Sequence, residues 1–419
     1  MNAHPPNSVG LCLSGGGYRA SLFHLGVLRY LAEAGQLSNV CAMSTVSGGS
    51  IVGSFLATKW AALRDRNFSL DAFMQEVYDP FARLVTTRNF RDRWLVLCLL
   101  TLPLLLNPRF TWINIWAWLF DRWFYGRKQL NMHELPEGPD LVINATELES
   151  AKLYRFARTF RGDDRRYEEN MPYGRHSVRV SDAVTASSAH LPIRVTSADG
   201  RGLWFMDGGV YDNTGLDWFL DWEDKNRPKT AAPPAFFIVC EALAELRPWA
   251  WGWRQYFPWY RISRGTNALK RVVAIMFEQT RRTRKDWFID RVRDSRLNEG
   301  IIISMDVVAR ELREAKDRKD YEDLVCYSLS QNLVEKVRAI RIDLDCFLAE
   351  EAEILAYHGY WLTHIYLKTF HESTQVGSRP VCAQDGPEWK LDLSAAGELR
   401  YLNALRSSHK RFARGRRLW

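Results

Sequence analysis

The distribution of apolar positions near the N-terminus predicts two strands, each followed by a glycine turn and a helix. Val9–Leu13 is a short apolar run that predicts a buried strand, and the glycines at 15–17 let the backbone turn sharply after it. Leucine and valine then recur at helical spacing across 22–31. The pattern repeats with a second apolar run, Val40–Val46, and an apolar helix expected over 51–63. Such alternation predicts a parallel sheet covered by helices, with the functional site at the carboxyl ends of the strands.

The rest of the chain continues this mixture of strands and helices. Helical apolar spacing with few helix breakers extends over 317–370 and predicts the last packed helices. Since the chain has no internal repeat and no proline-rich linker, we expect one main domain over 1–380 and a C-terminal segment, 381–419, that ends in a basic tail. Further apolar runs predict strands at 141–145, 154–160, 203–206, Phe236–Glu241 and 301–304.

An apolar, tryptophan-rich insertion interrupts this pattern at about 88–128. Its segment 94–106 has no charge across 13 residues, but at about 1.5 Å per helical residue it is shorter than the roughly 30 Å of a bilayer core. Joining it to a second patch at 110–120 would bury Arg109 in lipid at a cost of about 2.5–3.5 kcal/mol. We therefore expect a helical pair lying in the membrane interface, with a cap packed on the protein's own core as the open alternative. The expected membrane-contacting residues are Trp94, Trp112, Trp116 and Trp118.

Composition narrows the class of protein. A chain of 419 residues with 47% hydrophobic and 25% charged residues is globular, which excludes disordered and collagen-like classes. The 57 basic residues exceed the 49 acidic ones, giving a net charge of +8 that favours negatively charged partners, either anionic lipid or nucleic acid. The 17 tryptophans favour lipid, because tryptophan is enriched at membrane interfaces, so nucleic acid is not the expected partner.

Cysteine usage and the N-terminal segment predict the compartment. The seven cysteines are odd in number and lack CxxC spacing, which argues against a disulfide framework and against a zinc site. Residues 1–8 show no basic stretch leading into a long apolar one, so no secretion signal is expected. These features predict a cytoplasmic protein that associates peripherally with membranes.

The strongest local chemical signal is TVSGG at 45–49, between a predicted strand and a predicted helix. A serine on a tight strand-to-helix turn with small neighbours is typical of a nucleophile elbow, so Ser47 is the candidate nucleophile. Thr45 departs from the first glycine of the GxSxG pattern. A helix N-cap formed by Ser47 or Ser50 is the alternative interpretation of these residues.

A serine nucleophile needs a base and an oxyanion hole. Glycines 15–17 offer backbone N–H groups at a helix N-terminus, where developing negative charge is stabilised. Asp207 follows the predicted strand 203–206 and precedes two glycines, so it is the candidate base at the same edge of the sheet.

Several motifs occur in one order along the chain: SGGGYRA at 14–20, HLGVL at 24–28, VSGGS at 46–50 and MDGG at 206–209. Together they resemble the patatin-like phospholipases and are similar to the catalytic core of the cytosolic phospholipase A group. That family pairs the serine of GxSxG with the aspartate of a later DG[GA] motif, and uses a GGGxR[GA] loop as its oxyanion hole. Other segments that resemble the family are NATELE at 144–149, AVTASSA at 183–189 and the pair Gly359 and Tyr360.

The resemblance implies a three-layer α/β/α fold with a mostly parallel central sheet, here with a hydrophobic helical insertion. It implies a catalytic domain that hydrolyses carboxylic esters of membrane phospholipids, with Ser47 attacking the carbonyl and Asp207 accepting the serine proton. No metal or cofactor is expected, and the expected partners are membrane lipids with anionic surfaces. The backbone N–H groups implied for the oxyanion hole belong to Gly15, Gly16, Gly17 and Gly48.

Two further residues stand beside these motifs. Arg19 would either steady the glycine loop or face a lipid phosphate, with an ordinary salt bridge as the open alternative. His190 follows the AVTASSA segment and would either line the site or serve as a structural histidine.

Three other functions fit parts of the sequence. Gly15, Gly17 and Ala20 match a dinucleotide-binding fingerprint, but the second strand does not end in the acidic residue that such a site uses for the ribose. A membrane-binding or nucleic-acid-binding module without catalysis would use the basic cluster 281–285 and the tail 410–419, with the aromatic patch 249–259 favouring lipid. A Ser-His-Asp hydrolase would take its base from His358, His364 or His371.

Overall fold

One mixed sheet forms the centre of the fold. The computed structural model describes residues 7–106, 110–126, 129–163, 166–169, 178–196, 202–220, 233–243, 258–294, 297–316, 318–371, 387–406 and 408, and within them ten strands share this sheet. The strands are β1 Val9–Leu13, β2 Val40–Val46, β3 Asp140–Glu147, β4 Lys152–Phe156, β5 Phe160–Asp163, β6 Arg166–Glu169, β7 Ile193–Thr196, β8 Gly202–Asp207, β9 Phe236–Glu241 and β10 Glu299–Ser304.

The helices surround the sheet. In chain order they are α1 Gly17–Glu33, α2 Gly48–Asp65, α3 Leu70–Phe73, α4 Asp79–Thr87, α5 Phe90–Leu100, α6 Asn114–Trp123, α7 Val180–Ser188, α8 Asp217–Leu220, α9 Pro258–Arg293, α10 Arg313–Lys316, α11 Tyr321–Val325, α12 Gln331–Arg338, α13 Ala349–His371 and α14 Ala395–Leu405. Of the helices in the described ranges, none is long and apolar enough to cross a membrane.

The parallel half of the sheet has the order β10-β9-β1-β2-β3, and β4, β5 and β6 continue it antiparallel. Side chains of β1 alternate between the two faces, as a pleated strand requires: Leu11 and Leu13 join the large core beneath α1, α2 and α13, while Cys12 joins a smaller core beneath α8 and α9. Both faces are therefore covered by helices, and the three-layer α/β/α fold expected from the sequence is confirmed.

Strand β3 brings two distant segments together. Along one edge of β3, β2 pairs in parallel as far as Val46 opposite Asn144. On the same edge, β8 pairs antiparallel from the other end and reaches Asp207 opposite Ala145. Since Asn144 and Ala145 are consecutive, the carboxyl ends of β2 and β8 meet, which places the residues that follow Val46 next to Asp207.

Helix α1 runs close to α13 because each helix has a glycine at the crossing. A side chain on Gly26 would overlap the carbonyl of Ala356, and one on Gly359 would lie 2.1 Å from the carbonyl oxygen of Phe23. These glycines belong to the motifs HLGVL and GY, so both motifs serve the packing of α1 against α13.

Most of the expected elements agree with the structure, and β1, β2 and β9 have the predicted bounds. The single strand expected at 154–160 is wrong: the chain forms β4 and β5, joined by a tight turn in which the Ala157 N–H donates to the Phe160 carbonyl at 2.9 Å. The boundary at 380 stays a prediction. The aromatic residues 249–257 and the basic tail from 409 lie outside the described residues.

Candidate active site

Ser47 occupies the sharp turn between β2 and α2. Its backbone has φ 49° and ψ −116°, a conformation that residues with a side chain rarely adopt and that typically costs about 1–3 kcal/mol. The glycine that follows is required, because a side chain on Gly48 would lie 2.2 Å from the Gly17 carbonyl oxygen. This geometry is that of a nucleophile elbow, in which the strained turn raises the serine hydroxyl above the end of the sheet.

The Asp207 carboxylate accepts a hydrogen bond from the Ser47 hydroxyl. The Ser47 Oγ donates to Asp207 Oδ2 at 2.8 Å, and the other carboxylate oxygen accepts the Gly209 N–H at 2.8 Å. Both side chains are buried. Burial raises the pKa of the Asp207 carboxyl above its usual range, although the charge of His190 and the hydrogen bonds from Gly209 and Ser47 act in the opposite direction. A buried carboxylate paired with a serine hydroxyl is suited to accept that proton.

Two of the histidines considered as alternative bases have other partners. His358 Nε2 lies 2.9 Å from the Met305 carbonyl oxygen, and burial lowers the pKa of this histidine to about 4. His364 Nδ1 lies 3.0 Å from the Tyr30 hydroxyl. The side chain of His371 lies outside the described residues. Since the Ser47 hydroxyl bonds to a carboxylate directly, the geometry favours a serine–aspartate dyad over a Ser-His-Asp triad.

The glycine loop supplies backbone donors, but the expected set needs a correction. The Gly15 N–H donates to the Asn213 carbonyl oxygen at 3.0 Å, so this donor is already used and the expectation that it serves an oxyanion hole is wrong. Among the described residues, no acceptor pairs with the N–H groups of Gly16, Gly17 or Gly48. Gly16 and Gly17 have φ of 138° and 57°, the conformations through which glycine turns the loop beside Ser47.

Arg19 anchors this loop from beneath. Its guanidinium donates to the carbonyl oxygens of Ala242, Arg338 and Ile340 at 3.1, 3.2 and 3.0 Å. The side chain is only 3% exposed, and burial lowers its pKa to about 10. Arg19 therefore steadies the loop, and neither a lipid-phosphate contact nor a salt bridge describes it.

His24 is a second anchor of the glycine loop, and the sequence alone assigned it no role. It lies about two helical turns after Gly17, and its Nε2 donates to the Ser14 carbonyl oxygen at 3.0 Å. The same oxygen accepts the Gly49 N–H at 3.1 Å, which joins the glycine loop to the elbow. Burial lowers the pKa of His24 to about 4, so the imidazole is neutral at ordinary pH. The signal for this role was its position within the motif HLGVL.

A chain of hydroxyl groups supports the elbow. Ser187 Oγ accepts the Ser47 N–H at 2.9 Å and lies 2.9 Å from Ser50 Oγ. Ser50 donates to Thr45 Oγ1 at 3.1 Å, and Thr45 donates to the Val142 carbonyl at 3.1 Å. Each hydroxyl has one hydrogen, so Ser187 donates to Ser50 and the chain is directed away from Ser47.

This chain explains why threonine occupies position 45. The hydroxyl of Thr45 completes the hydrogen-bonded series, and its methyl group lies where Gly53 leaves space: a Cβ at Gly53 would be 2.9 Å from it. The departure from GxSxG is therefore accommodated by a glycine in the second turn of α2.

A cavity of about 190 Å³ lies beside Ser47, between the main domain and the insertion. Gly17, Ser47 and Ser188 contribute to its wall. The exposed His190 also lines the cavity, which agrees with the expectation that it lines the site and not with a structural role. The insertion contributes Trp94, Ile113 and Trp116.

The four tryptophans expected at a membrane divide into two pairs. Trp116 is only 8% exposed and packs edge-on against Phe90 at 5.5 Å, so the expectation of membrane contact is wrong for it. Trp94 also lines the cavity, and its indole N–H donates to the Trp112 carbonyl at 2.9 Å. Trp112 and Trp118 are exposed. The insertion thus packs on the core with one side, as the alternative interpretation had it, and faces outward with the other.

The outward side forms an apolar patch, here called the insertion surface. Its members come from α5, the 3₁₀ turn after it, the segment just before α6, and α6 itself. Leu106 is 91% exposed, and Leu99 and Leu100 are 70% and 71% exposed. Contiguous exposed apolar side chains of this kind mark interaction sites. The insertion surface comprises Leu95, Leu99, Leu100, Leu102, Leu104, Leu106, Trp112 and Trp118.

The basic cluster 281–285, considered for phosphate binding, lies partly inside the protein. Arg281 is 4% exposed and pairs with Glu241 at 2.9 Å and Glu278 at 2.8 Å. Lys285 pairs with the second oxygen of Glu241 at 2.8 Å. These cations are balanced by carboxylates, so the cluster gives no support to a nucleic-acid module.

Residues 11–220 match the patatin-like phospholipase family, and the chain belongs to that family. The chain is similar to human GIVD cytosolic phospholipase A2, with 16% identity over 43% of this chain and 27% of that one, at a TM-score of 0.31. It therefore spans about a quarter of that protein's length. It is also similar to VipD from Legionella pneumophila, with 14% identity over 97% and 91% of the two chains and a TM-score of 0.29. Among curated proteins, none matches this chain.

Proposed function

We propose that this protein is a lipid acyl hydrolase that cleaves carboxylic ester bonds through the dyad of Ser47 and Asp207. The observation that carries the proposal is the 2.8 Å hydrogen bond from the Ser47 hydroxyl to the Asp207 carboxylate, at a strained strand-to-helix turn. Membership of the patatin-like phospholipase family supports a lipid ester as the substrate class.

The mechanism has two stages. Asp207 accepts the Ser47 proton while Ser47 Oγ attacks the ester carbonyl, and the N–H groups of Gly16, Gly17 and Gly48 stabilise the oxyanion. The tetrahedral intermediate collapses, the alcohol leaves with the proton returned by Asp207, and the acyl group remains on Ser47. Asp207 then takes a proton from water, the hydroxide attacks the acyl carbonyl, and the carboxylic acid departs as Ser47 regains its proton.

We further propose that the substrate is a membrane phospholipid, cleaved as by a phospholipase A, and that the insertion surface docks the protein on the membrane. The insertion surface and the cavity beside Ser47 are formed by opposite sides of the same helices, so docking would bring lipid close to the nucleophile. The net charge of +8 favours an anionic membrane. The cytoplasmic location stays a prediction.

Fatty-acid release tests this proposal. Purified protein is given mixed phospholipid vesicles and a soluble short-chain ester, and released acid is measured for the wild type, Ser47→Ala and Asp207→Asn. We expect both variants to lose at least about 10³-fold in turnover, since each removes a group that acts in the chemical step. Two matched controls, Ser69→Ala at the N-cap of α3 and the exposed Asp290→Asn, should retain wild-type turnover. Wild-type protein that releases no acid from either substrate would reject the hydrolase, and an active Ser47→Ala would reject the dyad.

A further inference from the structure

The cavity beside Ser47 has an apolar wall built jointly by two parts of the chain. Trp94, Ile113 and Trp116 come from the insertion, and Ile51, Ile342 and Leu344 come from the main domain. We propose that this cavity is the acyl-chain subsite, and that the insertion residues Trp94, Ile113 and Trp116 set the length of chain that it accommodates. The inference rests on the proposed hydrolase function and specifies its substrate.

The position of the cavity favours an acyl chain over the alcohol part of an ester. Ser47 and Gly17 both lie on its wall, so a carbonyl carbon at Ser47 Oγ with its oxygen at the Gly17 N–H would direct the adjoining chain into it. Arg91 and Asp343 on the wall form a salt bridge with each other, and His190 is the remaining ionisable side chain among the lining residues. A wall that is mostly apolar suits methylene groups better than a polar headgroup.

The volume of the cavity predicts a limit. An apolar cavity of about 150 Å³ holds one benzene molecule, which corresponds to about 25 Å³ per carbon. On that scale the cavity of about 190 Å³ holds about eight carbons. Longer chains would leave it beside Leu191, which is half exposed at its edge.

The insertion wall is held in place and does not simply give way to a longer chain. Trp116 packs edge-on against both Phe90 and Trp94, with ring centroids 5.5 and 6.0 Å apart. Trp94 is fixed by the hydrogen bond from its indole to Trp112. Close packing of this kind resists expansion, so the wall acts as a fixed end to the cavity.

The test is a series of soluble p-nitrophenyl esters with acyl chains of increasing length, each kept below its aggregation concentration. For the wild type we expect kcat/KM to rise about fourfold per carbon, equivalent to about 0.8 kcal/mol per buried methylene, and to stop rising near eight carbons. Trp116→Leu should move this break to longer chains, by about two carbons. Ile113→Ala is a second enlarging variant with the same expected direction.

The matched control is Trp287→Leu, the same substitution at a half-exposed tryptophan on α9, which should leave the break where it is in the wild type. Thermal unfolding of every variant shows which ones fold. If Trp116→Leu does not fold, Ile113→Ala alone provides the test. A break that stays at the wild-type chain length in a folded enlarging variant overturns the acyl-chain subsite while leaving the hydrolase intact. Wild-type protein that hydrolyses no ester of any length overturns the proposed function and this inference together.

Discussion

At the residue scale, the position of Ser47 is held by neighbours on three sides. Its N–H donates to Ser187 and its hydroxyl donates to Asp207, while the Ser14 carbonyl oxygen accepts the N–H of Gly49, two residues further along the turn. A positive φ at a serine persists only where the surroundings fix it. These three contacts come from α7, β8 and the glycine loop, so the elbow depends on the assembled sheet.

The pKa of Asp207 predicts how activity depends on pH. Only the ionised carboxylate can accept the Ser47 proton, so kcat/KM rises as pH increases through the pKa of Asp207. Burial raises that pKa, so the acid limb of the profile should lie above the usual range of an aspartate. The positive charge of His190 lowers it, so removing that charge should raise the pKa further.

His190→Ala is therefore expected to move the acid limb to higher pH, and the effect is modest because His190 is exposed and its charge is screened by solvent. The measurement is the pH profile of kcat/KM on a soluble ester. His133→Ala, a histidine outside the site, is the matched control and should leave the limb in place. A limb that moves to lower pH in His190→Ala would contradict this electrostatic assignment.

At the element scale, the insertion helices combine two roles in one apolar segment. Trp116 and Trp118 are two residues apart on α6, yet the first packs on the core and the second faces outward. The segment 94–106 carries no charged residue that would mark an outward side, and tryptophans lie on both sides of α6. For this reason the sequence could predict the two helices but could not divide their tryptophans between the cavity and the surface.

The insertion surface predicts a specific effect on membrane binding. Leu99→Asp and Leu106→Asp each place a charge on one of its three most exposed positions, so sedimentation with anionic vesicles should fall by at least about tenfold. Leu399→Asp on α14 is the matched control, because Leu399 is also exposed, at 56%, but lies outside the insertion surface. Wild-type binding that is absent, or that is equal in all three variants, would contradict docking through the insertion.

At the scale of the whole molecule, residues far apart in the chain meet through the sheet. The strands β1, β2 and β9 were predictable because each is a short apolar run next to glycine or proline, a pattern that has few other interpretations. The sequence also predicted that Ser47 and Asp207 each lie at the end of a strand. Their contact requires β3 to pair with β2 and β8 along one edge, and the loss of Gly15 as a donor requires the approach of Asn213. Such long-range contacts leave no local pattern in the sequence.

The net charge also has a different interpretation once the whole fold is considered. The net charge of +8 suggested a basic binding surface, but Arg281 and Lys285 balance the buried Glu241 inside the fold. Because these cations are paired with carboxylates, they add little to the net positive charge that an external anion would meet. The exposed apolar insertion surface is therefore a stronger indication of a lipid partner than the charge is.

The most direct measurement of the central claim is covalent labelling by an alkyl fluorophosphonate, followed by peptide mapping with mass spectrometry. This reagent phosphonylates serine nucleophiles that are activated by a base and supported by an oxyanion hole. We predict one adduct, on Ser47, which is absent from Ser47→Ala and forms much more slowly on Asp207→Asn. Wild-type protein that stays unlabelled, or that is labelled on another residue while Ser47 is unmodified, would contradict the account.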